Sequence, residues 1–380
     1  MKVLFGLCLV LGLLTGCVTR PTVIPLTGDP VVDGPVALAK GPARDRVLWE
    51  YRMAAAEMRR SRFADAKVNL DDALLTLGGI YGKNADAQKA RSLFSEEAKK
   101  TFIGEPYERV MANYYRGILY WMDGEPDNAR ACFRNGEFQD SDAENKTYAC
   151  DYVLLDYLDG LASAKLGGDG SDAFKRAQTN SHLEAPPAYD KNANVLFFVE
   201  MGRGPTKFAT GQYQEELRFL PGRSAARKAV IRVGNRQVVA PAYDDLTFQA
   251  TTRGGRVMDH ILGNKVIFKK TTDVVGNAAI VGGAVMGMAG GNRDASLGLV
   301  AFGLLSKVVS ATTTPAADAR CWDNLPQYLG FGALSLPPGE YQADIQFVDA
   351  AGRPQGGPRQ LPFKVASTSG DTVLFVSDQR

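Results

Sequence analysis

The hydrophobic period of the chain changes within residues 186–201, whose sequence is PPAYDKNANVLFFVEM. The pair Pro186-Pro187 is incompatible with a helix interior, and residues 194–201 are rich enough in β-branched and aromatic side chains to predict a buried strand. Before this stretch the apolar residues recur at helical spacing, and after it they form short runs and alternations. The sequence therefore predicts an α+β, multi-domain chain of 380 residues whose helical part comes first.

Residues 45–185 are predicted to form an irregular, tetratricopeptide-like α-solenoid. The clearest helix pair carries small and aromatic residues at the offsets of that repeat, namely Gly117, Tyr120, Ala129 and Phe133. A weaker unit follows around Gly160, 43 residues after Gly117 instead of the usual spacing, so the repeats are irregular. A stripe of aromatic residues (Tyr107, Tyr114, Tyr115 and Trp121) fits the core of such helices better than a binding groove.

Two β-rich regions are expected after the helices, over 190–272 and 315–380. In the first, Ala229–Val233 and Gln237–Ala240 predict a hairpin about Gly234-Asn235, and Leu246–Ala250 predicts a further strand. The second reads as about four strands, typical of a small, separate β-sandwich-like unit.

The 40 glycines of the chain are concentrated between these two regions. Residues 274–291 carry no charge and six glycines, and Gly283, Gly287 and Gly291 repeat every four residues. Such a row leaves one helix face without side chains, so 273–311 predicts a glycine-zipper helical hairpin inserted into the β-rich part. A buried or self-associating hairpin fits best, while membrane insertion and a loop-rich segment remain alternatives.

The amino terminus predicts an export signal. Lys2 precedes twelve apolar residues, which are too few to span a bilayer, and Leu14-Thr15-Gly16-Cys17 follows. This tetrapeptide resembles the bacterial lipobox, which implies that residues 1–16 are removed and that Cys17 becomes lipidated. An ordinary signal peptide with a chance cysteine is the alternative. The proline-rich residues 17–44 then predict an extended tether, and the absence of Asp at position 18 favours the outer membrane over the inner one.

Composition excludes several functional classes. The net charge of +2 argues against a nucleic-acid-binding protein, and two histidines leave little material for a metal site or for histidine-dependent catalysis. Residues 202–207 (GRGPTK) lack the spacing of a phosphate-binding loop. We therefore expect no catalytic residues, no bound metal and no cofactor. The mature chain keeps three cysteines, and both a Cys132–Cys150 bridge and free buried thiols fit the sequence.

The order of these features resembles a family of uncharacterised bacterial periplasmic lipoproteins. The residues that carry the resemblance are the lipobox, 107–115 (YERVMANYY), 202–207 (GRGPTK), the glycine-rich segment, 317–322 (ADARCW) and 336–339 (LPPG). Cys321 departs from the pattern, in which a small polar residue is expected. The resemblance implies an envelope protein and no established activity. Within its motifs Lys207, Arg320 and Trp322 are the candidate functional positions, with a turn-closing lysine and a core tryptophan as the simpler interpretation.

We therefore expect a non-enzymatic, outer-membrane-anchored lipoprotein that faces the periplasm and binds envelope proteins through its helical repeats. A regulator of peptidoglycan synthesis is a narrower alternative. A membrane-inserting or oligomerising lipoprotein that uses the glycine-zipper hairpin is another, and a second copy of the chain is then a partner.

Overall fold

The computed structural model describes residues 26–81, 101–141, 149–210, 216–252, 317–366 and 370–379. The predictions for the signal peptide, for Cys17 and for the glycine-zipper hairpin with Gly283, Gly287 and Gly291 concern residues outside these ranges. Within them the protein is α+β, as expected.

Eight α-helices lie in the described residues. They are α1 (Pro30–Lys40), α2 (Arg46–Arg59), α3 (Phe63–Tyr81), α4 (Pro106–Met122), α5 (Pro126–Asp140), α6 (Val153–Lys165), α7 (Ser171–Thr179) and α8 (Leu246–Thr252). Helices that are consecutive in the chain pack on one another, as α2 does with α3, α4 with α5, α5 with α6, and α6 with α7. Gly117 lets α4 and α5 approach closely, since a Cβ atom there would lie 2.5 Å from the Phe133 ring.

Within the same described ranges there are nine β-strands. They are β1 (Val195–Met201), β2 (Thr206–Thr210), β3 (Glu216–Leu220), β4 (Lys228–Val233), β5 (Arg236–Asp245), β6 (Tyr328–Leu334), β7 (Gly339–Val348), β8 (Arg359–Val365) and β9 (Thr372–Ser377). The hairpin predicted about Gly234 is confirmed as β4–β5, and Gly234 adopts the positive φ of 58° that such a turn requires.

Seven of the strands form one nearly closed sheet in the order β8-β7-β4-β5-β6-β1-β9. All neighbours are antiparallel except β1 and β9, which run parallel. The side chain of Arg359, on edge strand β8, donates hydrogen bonds to the Ser377 and Asp378 carbonyls at the end of edge strand β9. The prediction of a separate sandwich over 315–380 is therefore wrong, because β1, β4 and β5 pair directly with strands of that region.

The two faces of this sheet have different neighbours. One face encloses an apolar core that includes Phe197, Ile231 and Phe347. The other face packs against the helices, and Phe198 and Trp322 share one continuous core with the helical aromatic residues. The change of period at 186–187 thus separates two kinds of secondary structure that share one core, and not two independently packed domains.

Two local predictions are also wrong. The sequence predicts an extended tether over residues 30–40, but these residues form α1. Asp29 caps the helix by accepting a hydrogen bond from Val31 N (3.0 Å), and Pro30 occupies the first turn, where no amide donor is needed. Residues 246–250 were expected to be a strand. They form α8, because the Asp245 carboxylate accepts hydrogen bonds from the amides of Thr247 and Phe248 and so starts a helix.

Candidate functional site

Two of the three candidate positions from the sequence, Lys207 and Trp322, bind one buried carboxylate, that of Glu108, and the third, Arg320, lies two residues before Trp322. Its Oε2 accepts a hydrogen bond from Lys207 Nζ (2.5 Å), and its Oε1 accepts one from the backbone amide of Trp322 (2.7 Å). The side chains of Glu108 and Lys207 are 0% and 2% exposed. We call Glu105, Glu108, Lys207, Cys321 and Trp322 the Lys207 cluster. It joins α4, β2 and the segment before β6.

Local sequence explains why Glu108 is held there. Glu105 precedes Pro106, the first residue of α4, and Glu108 stands three positions after this cap. The two glutamates form a capping box, in which Glu108 Oε2 also accepts the Glu105 amide (2.7 Å). Glu108 thus receives donors from the helix start, from β2 and from Trp322. A lost partner would leave a buried charge uncompensated.

Electrostatics keep the cluster in one protonation state. Burial alone would lower the pKa of the Lys207 ammonium, but the charges of Glu108 and Glu105 outweigh this effect and raise its pKa. Burial and the Glu108 charge also raise the pKa of the Cys321 thiol, to about 12. For a thiol, a raised pKa favours the uncharged form. Lys207 is therefore an ammonium and Cys321 an uncharged thiol at neutral pH. Neither is an activated nucleophile.

Trp322 anchors the cluster to the helices. Its ring is completely buried and stacks on Tyr51 of α2 at 4.3 Å between centroids, with Tyr115 of α4 at 5.8 Å. Trp322 is thus a core residue, as the simpler interpretation of the sequence proposed. Lys207 lies within strand β2, so the idea of a turn-closing lysine is wrong for it.

Arg320 ties the same segment to the chain before α2. Its guanidinium donates to the Asp318 carboxylate (2.6 and 2.8 Å) and to Asp45 Oδ1 (2.7 Å). Burial opposes the charge, but the hydrogen bonds to Asp318 and Asp45 raise the pKa of Arg320 overall. Residues 318–323 are therefore held against α2 by charged hydrogen bonds on their outer side and by Trp322 on their inner side.

A pocket of about 400 Å³ opens to solvent above the Lys207 cluster. We call it the seam pocket. It is lined by Asp45, Leu48, Trp49, Arg52, Thr206, Lys207, Ala319, Arg320, Cys321 and Asp323. On its rim Arg52 donates to Asp323 Oδ1 and Oδ2 (2.9 and 3.0 Å) and to the Cys321 carbonyl (3.0 Å), and its guanidinium lies 5.1 Å from the half-buried Trp49 ring. An aromatic face, two carboxylates and two guanidiniums are thus held in fixed positions.

Sequence reasoning found three of the residues and missed their partners. Glu108 stands inside the quoted motif 107–115, but its role depends on contacts with residues 99 and 214 positions away. The usable signal was the spacing of Glu105, Pro106 and Glu108, which is typical of a capped helix start. Asp45, Trp49 and Arg52 carry no sequence signal, because the first directly precedes an ordinary amphipathic helix and the other two lie within it.

The repeat-packing positions lie outside this site. Ala129 and Phe133 are completely buried, and Tyr120 is partly buried beneath the Arg116 guanidinium, which lies 3.6 Å from the centre of its ring. In the described residues no disulfide joins Cys132, Cys150 or Cys321, so no Cys132–Cys150 bridge is present. The part of the chain that the structure describes contains no cluster of three or more histidine, cysteine or acidic side chains suited to a metal ion.

A second buried ion pair lies on the helix-facing side of the sheet. Arg59 Nε donates to Glu200 Oε2 (2.9 Å), with side chains 4% and 0% exposed, and the Tyr115 hydroxyl donates to Glu200 Oε1. Burial raises the pKa of Tyr115 well above its usual range, and the Glu200 charge adds to this effect, so the phenol remains a donor. This group joins α2, α4 and β1.

Comparisons with protein-family models, with curated proteins and with solved structures find no match to this chain. Among the helices of the described ranges, none combines the length and the apolar character that crossing a bilayer requires.

Proposed function

We propose that this chain is a non-enzymatic, lipid-anchored protein of the bacterial envelope that binds a partner protein at the seam pocket. The observation that carries the proposal is the pocket itself, whose rim groups Trp49, Arg52 and Asp323 are pre-positioned while its floor is neutralised by the Lys207–Glu108 pair. Fixed aromatic and charged groups favour specific recognition, since little side-chain freedom is lost on binding. The protonated Lys207 and the uncharged Cys321 thiol favour binding over nucleophilic catalysis.

The proposed binding surface differs from the one expected of helical repeats. We propose that α4–α7 are diverged tetratricopeptide-like pairs, which is supported by the Gly117–Phe133 contact and by the packing of consecutive helices. The aromatic stripe of these helices packs on the protein's own sheet, where Trp121 meets Phe198 at 6.2 Å and Tyr115 meets Phe375 at 6.2 Å. The stripe is therefore occupied, whereas the seam pocket is open to solvent.

The chemistry of the pocket suits a polar segment of an envelope protein. Arg52 and Arg320 can donate hydrogen bonds to carboxylate or carbonyl groups of a partner, Asp45 and Asp323 can accept them from basic groups, and Trp49 offers a ring face for an apolar or cationic side chain. We further propose that acylated Cys17 anchors the protein in the outer membrane, with the folded part in the periplasm. This part of the proposal rests on the lipobox resemblance. Regulation of peptidoglycan synthesis is the narrower form of the same role. Self-association through the glycine-zipper hairpin rests on sequence alone.

Site-specific photocrosslinking in cells tests this function. A photoreactive phenylalanine analogue replaces Trp49 in one strain and Val239, an exposed residue of β5, in a matched control strain. We expect position 49 to give a discrete protein adduct that is absent at position 239 and that is lost when Asp323→Ala is added. If positions 49 and 239 give the same adducts, or if position 49 gives none, the seam pocket is not the partner site.

A further inference from the structure

Helix α1 is apolar on almost its whole circumference, which is unusual for a helix at a protein surface. Its sequence, PVVDGPVALAK, contains one acidic residue, Asp33, and one basic residue, the terminal Lys40. Gly34 and Ala37 are buried against α2, where a Cβ atom on Gly34 would lie 2.2 Å from Met53 Sδ. A helix that is apolar on all sides needs an apolar neighbour on its second face as well.

The second face is exposed. It consists of Val32, Pro35, Val36 and Ala39, which we call the α1 outer face. Residues at these spacings lie on one stripe of a helix. Val32 and Val36 are 53% and 39% exposed, and Leu26, just before the helix, is 54% exposed. No polar side chain interrupts the stripe.

The orientation of this face is fixed by polar contacts at the start of the helix. The buried Asp33 carboxylate accepts hydrogen bonds from the amides of Thr27 (2.8 Å) and Gly28 (2.9 Å) and so holds the preceding chain. The N-cap residue Asp29 forms an ion pair with Arg60 at the end of α2 (2.9 Å). The α1 outer face therefore points away from the protein body as a rigid part of it.

The position of α1 in the chain indicates what covers this face. Nine peptide units separate Cys17 from Leu26, and an extended chain of that length reaches about 30 Å at most. An acyl anchor at Cys17 would hold α1 within this distance of the bilayer surface. Lys40 and Arg44, both exposed, follow the apolar stripe and suit the anionic headgroups of bacterial membranes.

We propose that the α1 outer face lies on the membrane as a second, interfacial contact beside the lipid anchor. The location rests on the proposed lipidation of Cys17, but the affinity of α1 for a bilayer is a property of the folded chain alone. Valine side chains would enter the headgroup boundary, and the anchor would raise their effective concentration there. Such a contact would set the orientation of the whole protein relative to the membrane.

Vesicle flotation of the expected mature chain, residues 17–380 with Cys17→Ser, tests the contact without acylation and without the apolar signal segment, so its outcome does not depend on the lipidation proposal. The vesicles contain phosphatidylethanolamine and phosphatidylglycerol. We expect Val32→Glu/Val36→Glu to lower the bound fraction about tenfold. The matched control is Val68→Glu/Leu75→Glu, which places the same two charges on exposed apolar positions of α3 and should leave binding unchanged. Separately, labelled palmitate incorporation that is lost with Cys17→Ala reports on the anchor itself.

A second measurement guards against misfolding of the glutamate variant. Val36→Trp in the Cys17→Ser chain places an indole on the outer face, and vesicles with brominated acyl chains should quench its emission beyond any quenching of the parent chain. Vesicle binding that survives Val32→Glu/Val36→Glu, or an unquenched Trp at position 36, overturns the proposal. The same is true if Val32→Glu/Val36→Glu abolishes a dimer in sedimentation without changing vesicle binding, because a second copy then covers the face.

Discussion

Strand β1 has two faces that are built by different rules. Val195, Phe197 and Val199 point into the apolar core enclosed by the sheet, whereas Leu196 and Phe198 pack on the helices. The last residue of the second set is Glu200, which is completely buried and paired with Arg59. The enclosed face of β1 carries only apolar side chains, while the helix-facing side also carries a charged one.

The same difference holds for two further ion pairs of this interface, the first buried and the second partly buried. Lys207–Glu108 joins β2 to α4, and Lys165–Asp371, at 2.8 Å, joins α6 to the start of β9. Each pair links a helix to the β part of the chain. Apolar contacts tolerate sliding of one layer over another, but a buried ion pair has one acceptable geometry. We infer that the charges fix the register of helices on sheet, and through the Lys207 cluster the shape of the seam pocket.

The largest effect should come from removing one partner of the Arg59–Glu200 pair. Glu200→Ala leaves the Arg59 guanidinium and the Tyr115 hydroxyl buried without their acceptor, so we expect a loss of about 3–5 kcal/mol in the free energy of unfolding. Urea unfolding measures it. The matched control is Asp65→Ala, which breaks the exposed Arg62–Asp65 pair and should cost less than about 1 kcal/mol.

The double variant Arg59→Met/Glu200→Leu sharpens this comparison. It removes both charges at once, so most of the lost stability should return. If Glu200→Ala lowers the free energy of unfolding no more than Asp65→Ala does, the Arg59–Glu200 ion pair does not stabilise the helix-facing side. The proposed difference between the two faces of β1 is then wrong.

The next largest effect should be a pH dependence confined to the helix-facing side. Asp244, at the end of β5, accepts hydrogen bonds from the amides of Val153 and Leu154 at the start of α6. Burial raises its pKa to about 7, although these two hydrogen bonds oppose the rise. The folded protein therefore binds this proton more tightly than the unfolded chain, whose Asp pKa is about 3.9. The resulting stability is complete below pH of about 4 and is lost as the pH rises towards 7.

Urea unfolding between these pH values measures the slope, to which one such proton contributes up to about 1.4 kcal/mol per pH unit. Asp244→Asn keeps an acceptor but cannot titrate, so we expect it to remove that contribution. Asp344→Asn, at an exposed position of β7, is the matched control. An unchanged slope in Asp244→Asn would show that this carboxylate does not titrate in the expected range.

The smallest effect should come from the enclosed core. Ile231→Val removes one methylene group from a completely buried side chain of β4, and we expect a loss of about 0.5–1.5 kcal/mol. Because the surrounding side chains are apolar, this loss should be the same at pH 5 and pH 7, as urea unfolding at both values would show. If the loss in the free energy of unfolding differs between pH 5 and pH 7, the packing of the enclosed core is coupled to the titrating groups on the helix-facing side of the sheet.

Sequence reasoning succeeded where the relevant interactions are local. The β1 stretch, the turn at Gly234 and the close contact between Gly117 and Phe133 depend on residues within one element or in two consecutive elements, so period and spacing reveal them. It failed at α1 and α8, where one capping aspartate starts a helix. Asp29 does so at α1 despite the prolines there, and Asp245 does so at α8 despite residues typical of strands. A cap acts through one hydrogen-bonding side chain and leaves no periodic signal.

The sequence by itself determined the two kinds of secondary structure and their order along the chain. Only the tertiary structure decided that β1 lies between β6 and β9, that the aromatic stripe faces the protein's own sheet, and that Lys207 and Trp322 meet at Glu108. The physical reason is that hydrophobic period records which face of an element is buried, but not against what. Partners more than a hundred residues apart are selected by shape and by the pairing of buried charges, and neither can be read from a local pattern.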